Sequence, residues 1–246
     1  MDYFTKSLFS PLFGSLQPKV TESNEPANSP NSNLSPTVTS FGIDDDNTEY
    51  FQRPSACFKR YELMMEFMNL RNSSQYPLGV YLIPCADTLN VWYGILFLHQ
   101  GLYNSGIFKF RLSIPENYPF GMPSVTFLTD IFHPLIDSQG ALRLSSAFPV
   151  WRPYQDYIIH LLCFIKNMFK KSTLDKLLDK HCANKEAYRL YRQEMVVFKK
   201  LAQQCAQLSI TESYLYDHFP DNNLIRFTPL GEQAFGKYKK RMKGKG

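Results

Sequence analysis

Thiol chemistry in this 246-residue chain would have to come from Cys57, Cys85, Cys163, Cys182 or Cys205. A thiol attacks as its thiolate, so a working cysteine needs a base or a cation beside it. Cys182 follows His181, in a loop ahead of a helix. A Cys–His nucleophile there requires the imidazole to reach the thiol. Cys205 falls on an apolar helical stripe and reads as a small buried hydrophobe. Cys163 lies within a helix, roughly 140° around from Ile158. The five cysteines form no C-x-x-C pair, and their count is odd. That spacing predicts no metal site and no cofactor, and it points to a reducing cytosolic or nuclear compartment.

The elements that would position these groups follow from periodicity. A helix is predicted from Ser55, an N-cap after Pro54, with Phe58, Tyr61, Met65 and Met68 at helical spacing. Four strand-like runs follow at Gly79–Pro84, Val91–Leu98, Gly106–Ile114 and Ser124–Leu128. In the third, Phe108, Phe110, Leu112 and Ile114 alternate with Lys109, Arg111 and Ser113, the period of a half-buried strand. Short joining loops predict an antiparallel meander. A long Pro- and Gly-containing loop spans His133 to Pro153. Ile158, Leu161, Leu162, Ile165, Met168 and Phe169 then mark one helix. A second, from Lys185 to Leu208, would bury Leu190, Tyr191, Phe198, Leu201, Cys205 and Leu208. The fold class is α+β: an N-terminal helix, a four-stranded antiparallel meander, a long loop and C-terminal helices.

Three segments are expected: a disordered 1–54, a core domain over 55–210, and a C-terminal extension over 211–246 with a basic tail. Residues 17–40 hold 16 Pro, Asn, Ser and Thr and no aromatic, too little apolar area to offset chain entropy. Phe4, Leu8, Leu12 and Leu16 ahead of it are spaced as one helical face, interrupted by Pro11 and Gly14. The formal charge of +5 is concentrated at the end. Lys237, Lys239, Lys240, Arg241, Lys243 and Lys245 carry +6 in the last ten residues, which leaves −1 for the rest. A large nucleic-acid face is therefore not expected. The basic tail predicts weak contact with an anionic membrane surface. No apolar run reaches 18 residues and the N-terminus lacks a signal pattern, so the expected location is cytoplasmic.

Several short motifs, in order, resemble the ubiquitin-conjugating enzyme family. They are Tyr103-x-x-Gly106-x-Phe108, Ile114-Pro115-x-x-Tyr118-Pro119-Phe120 with Pro123, Phe132-His133-Pro134, and Trp151-x-Pro153. In that family an asparagine lies eight residues before the catalytic cysteine, and a tryptophan eight after it. Eight residues on from Leu135 is Arg143, and eight more reach Trp151 without a gap. The resemblance covers about residues 55–210. It implies the ubiquitin-conjugating fold, with His133 organising backbone rather than acting as a base.

The departures bear on function. The family's thiolate accepts ubiquitin as a thioester, which a substrate amine then attacks. Arg143 stands at the cysteine position; a guanidinium stays protonated and is no nucleophile. Leu135 stands at the asparagine position and has no side-chain donor for an oxyanion. The resemblance therefore implies no catalytic residue and no ubiquitin transfer. Gln100-Gly101-Leu102-Tyr103 and Ala147-Phe148-Pro149-x-Trp151 are further similar to an inactive branch of the family, the fused-toes and crossbronx proteins. That likeness implies an adaptor for Hook-type coiled-coil proteins, associated with vesicles or the cytoskeleton. The alternative is a ubiquitin-binding cofactor that pairs with an active conjugating enzyme. Phe148, Trp151 and Tyr154 are candidates for a docking face.

Overall fold

The computed structural model describes residues 56–72, 74, 76–216 and 223–243. The expectations for residues 1–54, for Ser55 as an N-cap and for the side chains of Cys57 and Phe58 lie outside these described residues.

The chain enters through helix α1 (Ala56–Asn72). A meander follows: β1 (Val80–Pro84), β2 (Val91–Phe97), β3 (Ile107–Ser113) and β4 (Ser124–Phe127), all antiparallel neighbours in sequence order. After the long loop come α2 (Ile158–Asn167), the short α3 (Lys171–Leu174) and a 3-10 turn at Asp179–His181. Helices α4 (Lys185–Gln193), α5 (Met195–Leu208), α6 (Glu212–Tyr216) and α7 (Glu232–Lys243) complete the described chain. This is the α+β architecture that the motifs implied.

The alternation in β3 sets which face is the core. Phe108, Phe110 and Leu112 are fully buried with Trp92 and Leu96 of β2 and Ile158, Leu161, Leu162 and Ile165 of α2. Phe108 stacks on Phe169 at 5.6 Å. Gly94 pairs with Phe110, and a Cβ there would lie 2.2 Å from the Phe110 ring. A glycine is thus what lets this ring lie across β2.

Helix α1 is not packed through the residues whose spacing announced it. Among its described side chains Lys59, Leu63 and Leu70 are buried, while Tyr61, Met65 and Met68 are exposed. Phe67, packed edge-on to Trp92 at 5.5 Å, joins that buried face. Apolar residues occur on several sides of this helix, so periodicity alone did not select the packed one. Residues 185–208 are not one helix either. The chain breaks at Glu194, with φ −133° and ψ 58°. Past the break, α5 buries Phe198, Ala202 and Ala206. Leu201 and Cys205 are only half-buried, and Leu208 is exposed.

The face of the sheet away from α2 is also covered in part, although Arg111 there is exposed. A sheet packed on one side normally leaves its other face wet. Here Tyr93, Ile95 and Lys109, which point that way, are all buried. The Lys109 ammonium donates to the carbonyl oxygens of Tyr214 and Leu215 at the end of α6. Phe227 packs edge-on to Phe97 at 6.4 Å, and Phe97 likewise to Tyr81 at 5.5 Å. The C-terminal extension is thus tied to the sheet through α6 and Phe227. The basic tail, where described, continues as helix α7.

Candidate functional site

The long loop is organised from His133 outward. His133 is fully buried between the rings of Tyr103 and Phe169, at 5.9 and 5.2 Å. Its Nδ1 accepts from the Leu135 N–H at 3.0 Å, so the ring proton resides on Nε2, which faces the Met168 carbonyl oxygen at 3.2 Å. Burial pushes its pKa down to about 4. His133 is therefore neutral at physiological pH and fixed at both nitrogens. Such an imidazole has no free site for a proton and serves to hold backbone.

Pro134 carries the arrangement onward. Its carbonyl oxygen accepts the N–H groups of Ala183 and Asn184, both at 2.9 Å. The Asn184 side chain in turn caps α4 through the Ala187 N–H. The segment before α4 is thus pinned against the His133-Pro134 turn. Cys182, in that segment, is buried and points its sulfur at the Leu178 carbonyl oxygen at 3.3 Å. Burial pushes its thiol pKa up, as it does for Cys163 and Cys205. His181 does not pair with Cys182; its Nδ1 meets the Ser145 hydroxyl at 3.3 Å.

Leu135 is fully buried, and its carbonyl oxygen accepts the Arg143 N–H at 2.8 Å. The Arg143 side chain is exposed, with one guanidinium N–H 3.4 Å from the Cys182 carbonyl oxygen. Asp137 Oδ1 holds the turn between them by accepting from the Gln139 and Ala141 N–H groups, each at 2.9 Å. His133, Pro134, Leu135, Arg143 and Cys182 therefore converge on one corner.

Tyr118, Pro119 and Trp151 form a second group. The Trp151 indole donates to the Pro119 carbonyl oxygen at 2.8 Å, and its ring lies 6.4 Å from that of Tyr118. The Tyr118–Pro119 peptide is cis. Phe148 packs on Trp151 at 5.6 Å and on Phe164 at 6.1 Å, so this pair of expected docking residues instead packs the loop. Pro153 is half-buried in the turn before α2. That turn is closed by Asp156, which is buried and accepts from the Arg152 backbone, Nε and Nη2 at 2.8, 3.0 and 2.7 Å. These charged donors hold the Asp156 carboxyl below its usual range.

Glu66 was missed by sequence reading. One carboxylate oxygen accepts from the Tyr118 hydroxyl and the other from the Ile158 N–H, joining α1 to the Tyr118-Pro119 turn and to the start of α2. A carboxylate at a helix N-terminus is favourable there, although burial still raises its pKa above the ordinary value. The Arg152-x-x-x-Asp156 spacing was a signal available in the sequence; Glu66 had none.

Beside the second group is an apolar rim. Phe120, Met122, Val150, Tyr154 and Tyr157 are all exposed, and Phe120 meets Tyr154 edge-on at 5.9 Å. Tyr154 adopts φ 61°, a left-handed conformation that non-glycine residues take at a cost.

This four-stranded sheet, with its flanking helices and motif loops, is that of the ubiquitin-conjugating enzyme family, and the chain belongs to that family. The family model for ubiquitin-conjugating enzymes matches residues 62–206. Within the family it falls with the proteins that carry the AKT-interacting and crossbronx names. It is 37% identical over 176 residues to a protein AKTIP homolog of Nematostella vectensis, covering 70% of this chain and 56% of the relative. It is 30% identical over 190 residues to a protein crossbronx homolog of Culex quinquefasciatus, 75% of this chain and 80% of the relative. It is 31% identical over 238 residues to an AKT-interacting protein of Salmo salar, 94% of this chain and 74% of the relative.

Proposed function

We propose that this chain is a non-catalytic member of the ubiquitin-conjugating family that works as a protein-interaction adaptor. The observation that carries the reading is the corner where the family's thiolate would act. The motif register puts Arg143 there, exposed and reaching a carbonyl oxygen, with the apolar Leu135 buried behind it. Cys182, whose carbonyl oxygen meets Arg143, is buried with its pKa raised rather than activated. The scaffold around the corner is otherwise held by His133, Pro134 and Asp137, which fits a fold kept for its surface.

The rim of Phe120, Met122, Val150, Tyr154 and Tyr157 supplies that surface. Clustered exposed aromatics of this kind are the usual anchors of an interface. The names of the relatives point to AKT as one candidate partner. The crossbronx likeness points to Hook-type coiled-coil proteins, and with them to vesicles and the cytoskeleton. A coiled-coil helix presents an apolar seam that such a rim can bury. The test is a pull-down of a Hook-type coiled coil with the wild-type chain and with Phe120→Ala/Tyr154→Ala. The reading expects capture by the wild type and at least about a tenfold loss in the variant. No capture by the intact chain would overturn the coiled-coil assignment.

A further inference from the structure

Helix α7 lies beyond the residues that the family model covers. At about 100° per residue its apolar positions, Ala234, Phe235, Tyr238 and Met242, fall in one arc roughly 100° wide. The positions of Lys237, Lys239, Lys240, Arg241 and Lys243 occupy the rest of the circle. Phe235 is 57% and Tyr238 50% exposed, and Leu230 just ahead of the helix is 52% exposed. Lys239 reaches back over the Phe235 ring, its Nζ 5.8 Å from the centroid. Two exposed aromatics on one stripe of a strongly cationic helix match neither a core helix nor a wholly solvated one.

We propose that α7 is an interfacial helix that binds the surface of an anionic lipid bilayer. Phe235, Tyr238 and Leu230 enter the headgroup boundary, while the lysines and arginine stay at the level of lipid phosphate and carboxylate. The segregation of the two residue classes is what selects a membrane. A bilayer surface rewards aromatics on one arc and cations on the other. Single-stranded RNA rewards cations and stacking rings on the same face, where backbone and bases run together. Lys239, at the border, has the long stem that lets a charge return to water while its methylenes stay in the boundary. Gly236 weakens the helix in isolation, so the interface adds order that the sequence alone does not supply. With the rest of the chain near −1, the attraction is confined to this end of the molecule. The inference does not depend on the adaptor reading.

The test uses the full chain in co-sedimentation with two vesicle types, phosphatidylcholine alone and phosphatidylcholine with roughly 30% phosphatidylserine. The proposal expects at least about tenfold stronger partitioning to the anionic vesicles, falling as salt is raised. Phe235→Asp/Tyr238→Asp and Lys239→Glu/Lys240→Glu should each lower it by about tenfold while leaving the thermal melt unchanged. Equal partitioning to both vesicle types would overturn the proposal. So would an aspartate variant that binds like the wild type, or a wild-type chain that leaves the vesicles for a single-stranded RNA at equal phosphate concentration.

Discussion

The backbone N–H of Arg143 donates to the Leu135 carbonyl oxygen at 2.8 Å, so the two residues that the motif spacing aligns with the family's cysteine and asparagine are joined directly by main chain. Neither side chain is needed for that bond. Arg143→Cys should therefore keep the loop intact, and because the arginine is exposed the stability should change by no more than about 0.5 kcal/mol. The variant should still fail to pass ubiquitin to lysine, since Leu135 supplies no donor, a loss typically worth about 10²–10³ in rate. Charging and discharge assays beside the wild type check this. Rapid lysine discharge would show that a thiol was all the site lacked.

Restoring the asparagine carries a different cost. Leu135 is fully buried in the main core. Leu135→Asn removes that apolar volume and buries an amide, and it should destabilise the domain by about 2–5 kcal/mol. Chemical denaturation measures it. A loss below about 0.5 kcal/mol would mean that the position is tolerant and that leucine is not fixed by packing.

Buried His133 predicts a pH dependence with a definite sign. Its native pKa is about 4 against an ordinary 6.5, so between those values the unfolded chain binds a proton that the native chain does not. Its contribution is fully present above pH 6.5 and is lost as pH falls toward 4, in total about 3 kcal/mol. Imidazole NMR shifts followed from pH 8 to 5 should show this ring staying neutral, in the range of about one unit above its native pKa. A ring that titrates near 6.5 would break the argument that His133 is locked at both nitrogens.

Much of this was legible in the residues, for identifiable reasons. The β3 alternation is a local pattern, and its Phe108, Phe110 and Leu112 do face the core. The Phe132-His133-Pro134 and Trp151-x-Pro153 segments are local too, and in the structure His133 and Trp151 each hydrogen-bond to loop backbone. Some missed features are decided by contacts distant in sequence, and others carry no strong local signal. Glu66 meets Tyr118 and Ile158 across 52 and 92 residues. The break at Glu194 has neither Pro nor Gly to announce it, and the buried side of α5 is built on Ala202 and Ala206, small residues that a hydrophobic period underweights. The alternation in β3 also made Lys109 look solvent-facing, because nothing local reveals that α6 returns to cover it from 105 residues away.

That cover makes a prediction of its own. Lys109→Met keeps the side chain's bulk but removes the donor to the Tyr214 and Leu215 carbonyl oxygens. Charged hydrogen bonds of this kind are worth about 1.5–3 kcal/mol. Backbone amides in 209–216 should exchange hydrogen faster in the variant, while those of β2 and β3 keep their protection. Unchanged exchange at 209–216 would show that α6 is held by other contacts.

The central claim is that the chain keeps the ubiquitin-conjugating scaffold without its chemistry. The most direct measurement incubates the wild-type chain with activating enzyme, ATP and ubiquitin, and compares reducing with non-reducing gels. The account predicts no reductant-sensitive ubiquitin adduct, because Arg143 offers no nucleophile and Cys182 is buried with a raised pKa. A thioester that forms on the wild-type chain and disappears in Cys182→Ser would contradict it.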